Sequence, residues 1–302
     1  MILASLLMAV AIAVPKPGQK LPYIEHGYIL GSTDSGATNV VVQGKSFPVY
    51  RTGAWAAYVD LKEGENTVTV SCDWEGHHSE TSQTFHVAAK PKPRPDAAAV
   101  GAERVYTKLD YAADEARPHP RDKAPGDITV VLDPGHGGPV DLGCISPHGW
   151  CEKEANLLLA KAVEEELGRL GYKVVMTREE DKALPLYERP KTIYTAKADA
   201  FISIHHNAPA ADRDAGNIRY AAVYSWNPIG EAMAKAISKR MGEARSMHAN
   251  FAVTRNPEVP SCLVEADFIT HPEGEETAWD KESRSRMAAA IAEGFADWHK
   301  GR

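Results

Sequence analysis

The sequence predicts two folded parts: a small all-β sandwich near the N-terminus and an α/β domain after it. Between residues 20 and 89, short alternating stretches separated by turn residues are typical of an antiparallel sandwich. From residue 127 onward, apolar strand-like runs alternate with helical patterns, which predicts a mostly parallel twisted sheet with helices on both faces. With 302 residues, the chain is long enough for both parts.

The N-terminal segment is apolar almost throughout and contains the small-x-small pattern Ala11-Ile12-Ala13. A run of this length is too short to span a bilayer, so we interpret residues 1–14 as a cleaved signal peptide. An uncleaved anchor is the alternative interpretation. The signal peptide predicts an exported protein with no stable membrane insertion after cleavage.

Residues 20–89 make up the predicted β domain. Strand-like runs in it are separated by turn residues, as at 43–45 and 62–66. The pattern over residues 61–70 resembles the small immunoglobulin-like modules of exported bacterial proteins. We expect this domain to act either as a spacer or as a binding module.

Residues 90–126 are predicted to be a Pro-rich linker and a connecting arm. Prolines alternate with basic residues from Lys90 to Pro95, which favours an extended backbone without internal hydrogen bonds. The remainder of the segment is either a plain connection or an arm lying on the second domain. That second domain therefore spans residues 127–302.

The second domain begins with an apolar strand that leads through a glycine-rich turn into a long helix. Apolar residues repeat at helical spacing from Ala155 to Leu170, and Gly171 follows at the C′ position, which tolerates positive φ. Later runs alternate in the same way. The predicted strands are 128–132, 173–177, 200–204, 219–224 and 261–265, and the predicted helices are 152–170, 188–198, 228–242 and 283–299.

The net charge of the chain argues against a nucleic-acid-binding function. A formal net charge of -7 and an isoelectric point near 6.0 leave no broad basic surface, so no nucleic-acid partner is expected.

Cys144 and Cys151 lie close in sequence, and in an oxidising compartment we favour a disulfide between them over free thiols. A metal site of these two cysteines with His148 is a third, weaker alternative.

Four residues at the predicted strand and helix ends carry the chemistry. His136 lies in the turn Asp-Pro-Gly-His-Gly-Gly after the first strand, Glu152 begins the long helix, and His205 and Glu265 end two later strands. Two histidines and a carboxylate form a zinc site with an open position for water, on which a further glutamate can act. Asp133 is our candidate for orienting the imidazole of His136.

The order of five motifs resembles the zinc-dependent N-acetylmuramoyl-L-alanine amidases that cleave peptidoglycan, over residues about 127–300. The motifs are DPGHGG, CEKEANL, MTREED, FISIHHNA and CLVEADFITHPEGEE. The resemblance implies one Zn²⁺ bound by His136, Glu152 and His205, with Glu265 as the catalytic glutamate. His206 should face the opposite side of its strand from His205.

The sequence departs from the family pattern at three positions. Glu154 replaces an aspartate, His206 replaces a small residue, and His271 replaces an asparagine. These changes leave the implied ligands in place. Arg178 and Arg189 match recurring arginines of the family, and we interpret both as structural ion-pairing residues.

The implied function is hydrolysis of the amide bond between N-acetylmuramic acid and L-alanine in peptidoglycan. Two alternatives remain open from the sequence: a zinc peptidase acting within the stem peptide, and a non-catalytic wall-binding protein. The implied location is the periplasm, or an extracellular or wall-associated position. If the β domain is a binding module, its expected ligand is the wall or a partner protein.

Some members of the family carry a helical insertion that plugs the zinc cleft. Here the segment from 207 to 261 is already filled by a strand, a helix and short connections, which leaves little chain for a plug. We therefore expect an open cleft and intrinsic activity in residues 127–302, with the β domain affecting targeting more than turnover.

Overall fold

The computed structural model describes residues 10–34, 36–91, 120–242, 244–256 and 258–301, and its N-terminal part consists of two β-sheets. One sheet has the order β1-β3-β6 and the other has the order β2-β8-β7-β4-β5. The strands are β1 (Ala11–Val14), β2 (Lys20–Leu21), β3 (His26–Ser32), β4 (Asn39–Val42), β5 (Lys45–Pro48), β6 (Ala54–Asp60), β7 (Gly64–Trp74) and β8 (His77–Val87).

The two sheets share one hydrophobic core, as the prediction of an all-β sandwich requires. Ile29 and Trp55 from the three-stranded sheet pack with Val40, Val70 and Phe85 from the five-stranded sheet. Inward-facing residues alternate with outward-facing ones along β7, whose burial follows a period of two over most of its length. The prediction of a sandwich is therefore confirmed.

The first strand of the sandwich precedes residue 20, the N-terminal boundary predicted for this domain. Ala11–Val14 is already a strand at the edge of the three-stranded sheet, and Val10 is buried in the sandwich core. The predicted signal peptide of residues 1–14 overlaps this strand, while residues 1–9 lie outside the described residues. Cleavage after residue 14 would remove β1 from the sandwich. The signal peptide stays a prediction.

The C-terminal part is built on a six-stranded sheet with the order β10-β9-β11-β14-β12-β13. Its first four strands are parallel, whereas β12 runs antiparallel to β14. The mostly parallel sheet is therefore confirmed. The elements are β9 (Thr129–Pro134), α1 (Glu152–Arg169), β10 (Lys173–Met176), α2 (Thr192–Ala196), β11 (Ala200–Asn207), β12 (Ala222–Ser225), α3 (Pro228–Arg240), β13 (Arg245–His248), β14 (Ser261–Phe268), α4 (Pro272–Trp279) and α5 (Lys281–His299).

Both faces of this sheet are covered, as expected for parallel strands. On one face, α1, α3 and α5 bury a large cluster that includes Leu132, Ile202 and Val264. On the other face, the short α2 and a 3-10 turn at Ala252–Thr254 pack over Val131. Strand residues on both faces are therefore apolar, which explains the continuous hydrophobic runs in the sequence.

Two elements were absent from the sequence prediction. The helix α4 begins after His271, whose side chain accepts a hydrogen bond from the backbone nitrogen of Glu273, with Pro272 at the first helical position. The strand β13 is exposed at the sheet edge, so it lacks the apolar pattern used to predict strands. The helix predicted at 188–198 is reduced to the five residues of α2.

The end of the predicted linker lies on the C-terminal domain. Lys123 forms an ion pair with Asp199, and Nε2 of His299 lies 3.0 Å from the carbonyl oxygen of Pro120. Residues 92–119, which hold most of the predicted linker, lie outside the described residues. Within the described ranges, no helix has both the length and the apolar character needed to cross a membrane.

Candidate active site

The candidate site lies at the carboxyl edge of the six-stranded sheet, where β9, β11 and β14 end side by side. In the parallel register, Ser203 of β11 pairs with Asp133 of β9, and His205 pairs with Glu265 of β14. Residues paired in this way have side chains on the same face, about 4.8 Å apart along the hydrogen-bonding direction. The register therefore brings His205 and Glu265 together although they are distant in sequence.

His136 reaches the same edge from the turn that follows β9. Its φ angle is +61°, a left-handed conformation that is unusual for a residue other than glycine. Arg189 stabilises the turn by donating from Nη2 to the carbonyl oxygen of His136 at 2.8 Å. The imidazole Nε2 of His136 lies 3.2 Å from a carboxylate oxygen of Glu152.

The second ring nitrogen of His136 contacts Asp141, not Asp133 as predicted. The distance from Nδ1 of His136 to Oδ1 of Asp141 is 2.5 Å. Asp133 is fully buried within β9 and accepts hydrogen bonds from Arg189 and Ser203 instead. The prediction was wrong because the Asp133 carboxylate is bound by Arg189 and Ser203. The left-handed turn at His136 directs its imidazole away from the strand that holds Asp133.

Two buried arginines support this turn. Arg189 forms the expected ion pair with Asp133, at 2.9 Å. Arg178 was also interpreted as an ion-pairing residue, but its guanidinium donates to backbone carbonyl oxygens, including those of Pro134 and Gly135 at 2.9 Å. Both arginines therefore act on the backbone that presents His136.

Glu152 begins α1 and is only 2% exposed. Its Oε1 lies 3.0 Å from Nδ1 of His205 and accepts from Nδ2 of Asn156 at 3.0 Å. Its Oε2 faces His136 and accepts from the backbone nitrogen of Cys144 at 2.9 Å. Burial disfavours the carboxylate, but the two histidines outweigh burial and hold the pKa of Glu152 well below its usual value. Glu152 is therefore ionised.

The donor atoms of His136, Glu152 and His205 all lie within 4.8 Å of one another. Two imidazoles and a carboxylate are a donor set that zinc accepts, with a position left for water. Burial lowers the pKa of His136, but the carboxylates of Glu152 and Asp141 outweigh burial and raise that pKa to about 9. This concentration of negative charge around the imidazoles favours a bound cation.

Glu265 projects from β14 beside this cluster. Within the described residues, its buried Oε2 has no hydrogen-bond partner, which is costly unless another group binds there. Burial raises the pKa of Glu265 to about 7, with the negative charge of Glu152 adding to the effect and the histidines opposing it. A carboxyl group with this pKa can both accept and release a proton near neutral pH.

His206 faces the other side of β11, as predicted from strand alternation. Its Nδ1 lies 2.8 Å from Oδ1 of Asn156, and the residue is 4% exposed. Burial lowers the pKa of His206 to about 4, so its imidazole is neutral. Asn156 also donates to Glu152, and His206 therefore takes part in orienting that carboxylate through Asn156.

The predicted disulfide is wrong for this structure. All four cysteines fall within the described residues, and none of them forms a disulfide. Cys144 is held by its backbone against Glu152, whereas Cys151 lies immediately before α1. His148, the third member of the weaker metal-site alternative, pairs with Glu275 at 2.8 Å. The loop therefore serves to position Glu152.

Comparison with known proteins identifies the family of this chain. A family model described as N-acetylmuramoyl-L-alanine amidase matches residues 130–297, more than half of the chain. This chain belongs to that family. The amidase is 32% identical over 229 residues to the N-acetylmuramoyl-L-alanine amidase AmiA of Escherichia coli strain K12, covering 58% of this chain and 78% of AmiA.

Solved structures of similar enzymes share the fold of the amidase. The N-acetylmuramoyl-L-alanine amidase AmiC2 of Nostoc punctiforme has 31% sequence identity and a TM-score of 0.53, covering 57% of this chain and 96% of that chain. The catalytic domain of CwlV from Bacillus (Paenibacillus) polymyxa var. colistinus has 28% identity and a TM-score of 0.53, covering 57% and 97%. The family match begins at residue 130, so the β domain lies outside it.

Three residues of the amidase site were missed by sequence reasoning. Asp141 contacts His136, Asn156 contacts Glu152, and Gly143 leaves space for Glu152, since a Cβ atom there would lie 2.5 Å from its Oε2. Asn156 lies one helical turn after Glu152, which is a spacing that the sequence displays. Asp141 carried no comparable signal, because its position depends on the path of the loop.

Proposed function

We propose that this amidase hydrolyses the amide bond between N-acetylmuramic acid and L-alanine in peptidoglycan, with one zinc ion held by His136, Glu152 and His205. The observation that carries the proposal is the cluster of two imidazoles and one carboxylate beside the unpaired carboxyl oxygen of Glu265. The cluster lies within the region that matches the amidase family.

The residues fit zinc in donor chemistry and in their surroundings. Both histidines are partly exposed, with side chains 26% and 19% accessible, so an ion can reach them from solvent. Asp141 contacts the remaining nitrogen of His136, and such partners orient the ligand imidazole. When bound, zinc would lower the pKa of the attacking water, and its positive charge would polarise the scissile carbonyl.

We assign Glu265 the role of general base and then of general acid. Its pairing with His205 in the sheet register supports this assignment, because it puts the Glu265 side chain beside the proposed metal ligands. Glu265 accepts a proton as water attacks the carbonyl carbon, and it returns that proton to the departing alanine nitrogen. A pKa near 7 suits both transfers, since the group is then present in both protonation states. A non-catalytic wall-binding protein would not need a buried carboxyl group beside a metal site.

We also propose that the amidase acts outside the cytoplasm, in the periplasm or at the cell wall, because that is where its substrate lies. The apolar N-terminal segment supports export.

End-group analysis tests the bond specificity. Purified peptidoglycan digested with the full chain should release L-alanine amino termini and leave glycan strands without new reducing ends. A metal chelator should abolish the release, and added zinc should restore it. Free amines only from deeper stem-peptide residues would establish the zinc peptidase instead, and new reducing sugars would refute both.

Gly135→Ala tests the metal site separately from catalysis. A Cβ atom at Gly135 would overlap the imidazole ring of His205, so the substitution must displace that ring. We expect zinc affinity to fall by about tenfold or more, as is typical when the orientation of a ligand is lost. The measurement is zinc retained against a competing chelator.

Gly126→Ala is the matched control for Gly135→Ala, because a Cβ atom at Gly126 meets nothing within 4 Å. Its zinc affinity should equal that of the unsubstituted chain. Wild-type zinc affinity in Gly135→Ala would contradict the assignment of His205 as a ligand.

A further inference from the structure

A single row of paired residues crosses the C-terminal sheet at the level of the candidate site. His205 of β11 pairs with Glu265 of β14. On its other side, Glu265 pairs with Ala222 of β12, and Ala222 in turn pairs with Arg245 of β13. Residues paired in this way project from the same face of a sheet. The side chain of Arg245 therefore starts from the face that carries His205 and Glu265.

The distance along this row is short. Neighbouring strands lie about 4.8 Å apart, so the backbones at Glu265 and Arg245 are separated by about 10 Å. Ala222, which lies between them, projects only a methyl group. An extended peptide advances about 3.4 Å per residue, so roughly three residues of a bound peptide would span the row.

The guanidinium of Arg245 is held toward the edge of the sheet where the site lies. Its central carbon lies over the ring of Tyr220, 3.8 Å from the ring centroid, and a cation in this position is attracted by the aromatic face. Tyr220 precedes β12, which runs antiparallel to β14, so it lies at the edge where β14 ends. The ring of Tyr220 is 4.7 Å from that of Phe268, the last residue of β14. These contacts place the charge of Arg245 at the carboxyl edge.

This charge is available to a ligand. Arg245 is exposed, and among the described residues no carboxylate forms an ion pair with it. Arg219 lies at the same edge but is already bound by Asp267, at 2.9 Å, and by Glu273. A guanidinium group matches a carboxylate in geometry as well as in charge. Of these two arginines, Arg245 is therefore the one that can accept an anionic group.

The proposed reaction gives the peptide side of the substrate a direction. Glu265 returns a proton to the departing alanine nitrogen, so that nitrogen lies beside Glu265, while the carbonyl lies on the side of the metal ligands. The scissile bond then points from His205 toward Glu265. A peptide that continues in this direction passes over β12 and reaches β13.

We propose that Arg245 binds a carboxylate of the stem peptide and thereby sets the preference of the enzyme for acidic stem peptides. The carboxylate belongs to one of the first three residues of that peptide, because this is the length that spans the row. This inference rests on the proposed function. Arg245 is a specificity residue, since it contacts the peptide and not the bond that is cut.

Arg245→Gln in the full chain tests the contact with the carboxylate. The two substrates are a soluble muropeptide with free carboxylates and the same muropeptide with its carboxylates converted to amides. The substitution should raise KM for the free-carboxylate substrate by about 5-fold, the upper value for an exposed ion pair, with kcat unchanged. It should leave KM for the amidated substrate unchanged, because that substrate has no charge to pair with Arg245.

Arg255→Gln is the matched control, because Arg255 is an exposed arginine between β13 and β14 whose side chain binds Asn250. It removes the same charge and should leave KM for both substrates unchanged. Zinc content and thermal stability should be equal in all three chains. An unchanged KM of Arg245→Gln for the free-carboxylate substrate would overturn the proposal. An equal rise of KM for both substrates would overturn it as well.

Binding of the stem peptide tests the same contact without hydrolysis. A synthetic stem peptide with free carboxylates, titrated calorimetrically, should bind Arg245→Gln about 5-fold more weakly than the unsubstituted chain. Equal affinities, or no binding to either chain, would overturn the role of Arg245. If the peptide binds in this Arg245-dependent way but the unsubstituted chain releases no L-alanine amino termini from muropeptide, the proposed function fails while recognition of the peptide stands.

Discussion

Glu265→Gln is expected to reduce kcat on muropeptide by about a hundredfold or more, the typical contribution of a general base, while zinc stays bound. Glutamine has almost the same shape as glutamate, so packing in β14 is preserved. It cannot accept the proton of the attacking water, however, and it cannot return that proton to the leaving amine. The measurements are kcat on soluble muropeptide and zinc per chain.

A second variant shows whether the loss of activity is specific to Glu265. The control variant is Glu179→Gln, which removes a charge from an exposed position that follows the buried Arg178. It should leave kcat and zinc content at the values of the unsubstituted chain. Loss of zinc from Glu265→Gln would mean that Glu265 is itself a ligand, and the division of roles proposed above would be wrong.

His136→Ala and His205→Ala are each expected to lose both bound zinc and activity. Removing one imidazole leaves only two protein donors from the cluster, and zinc sites in enzymes use three. Activity should fall to the background of the chelated enzyme, and zinc measured after dialysis should fall well below one per chain. Excess zinc should not restore full activity.

The third ligand has a matched control two residues away. Glu152→Ala removes a buried carboxylate that contacts both histidines, and it should behave like the histidine variants. Glu154→Ala removes an exposed carboxylate of the same helix turn and should retain zinc and activity. Equal zinc loss in the two glutamate variants would indicate a general effect of charge near the site, not ligation.

The elements defined by local pattern were predictable from the sequence. The long helix was expected at 152–170 and is observed at Glu152–Arg169, because its apolar spacing and Gly171 act within a few residues. Gly171 has a φ angle of +89°, as its C′ position required. His205 and His206 were separated by strand alternation alone. The four candidate residues were predicted from their places at strand and helix ends together with the family motifs.

Direction and partners of elements were decided by the tertiary structure. The strand β12 runs antiparallel to β14, and no local pattern displays this, because the direction of a strand depends on the connections around it. Asp141 replaced Asp133 as the partner of His136 because the left-handed turn rotates the imidazole away from the strand. Cys144 and Cys151, which were expected to pair, form no disulfide, although they lie in the same loop.

Contacts between the two domains depended entirely on the tertiary structure. The hydroxyl of Tyr58 meets the carbonyl of Asp212 across 154 positions of the chain, and no local pattern encodes such a pair. Residues on both faces of β6 are buried, and the sequence could not show what covers the second face. The sequence by itself thus determined the all-β region and the α/β fold that follows it, because these follow from short-range spacing, and it predicted the candidate site through the family motifs. The relative placement of the domains followed only from packing between surfaces that are distant in sequence.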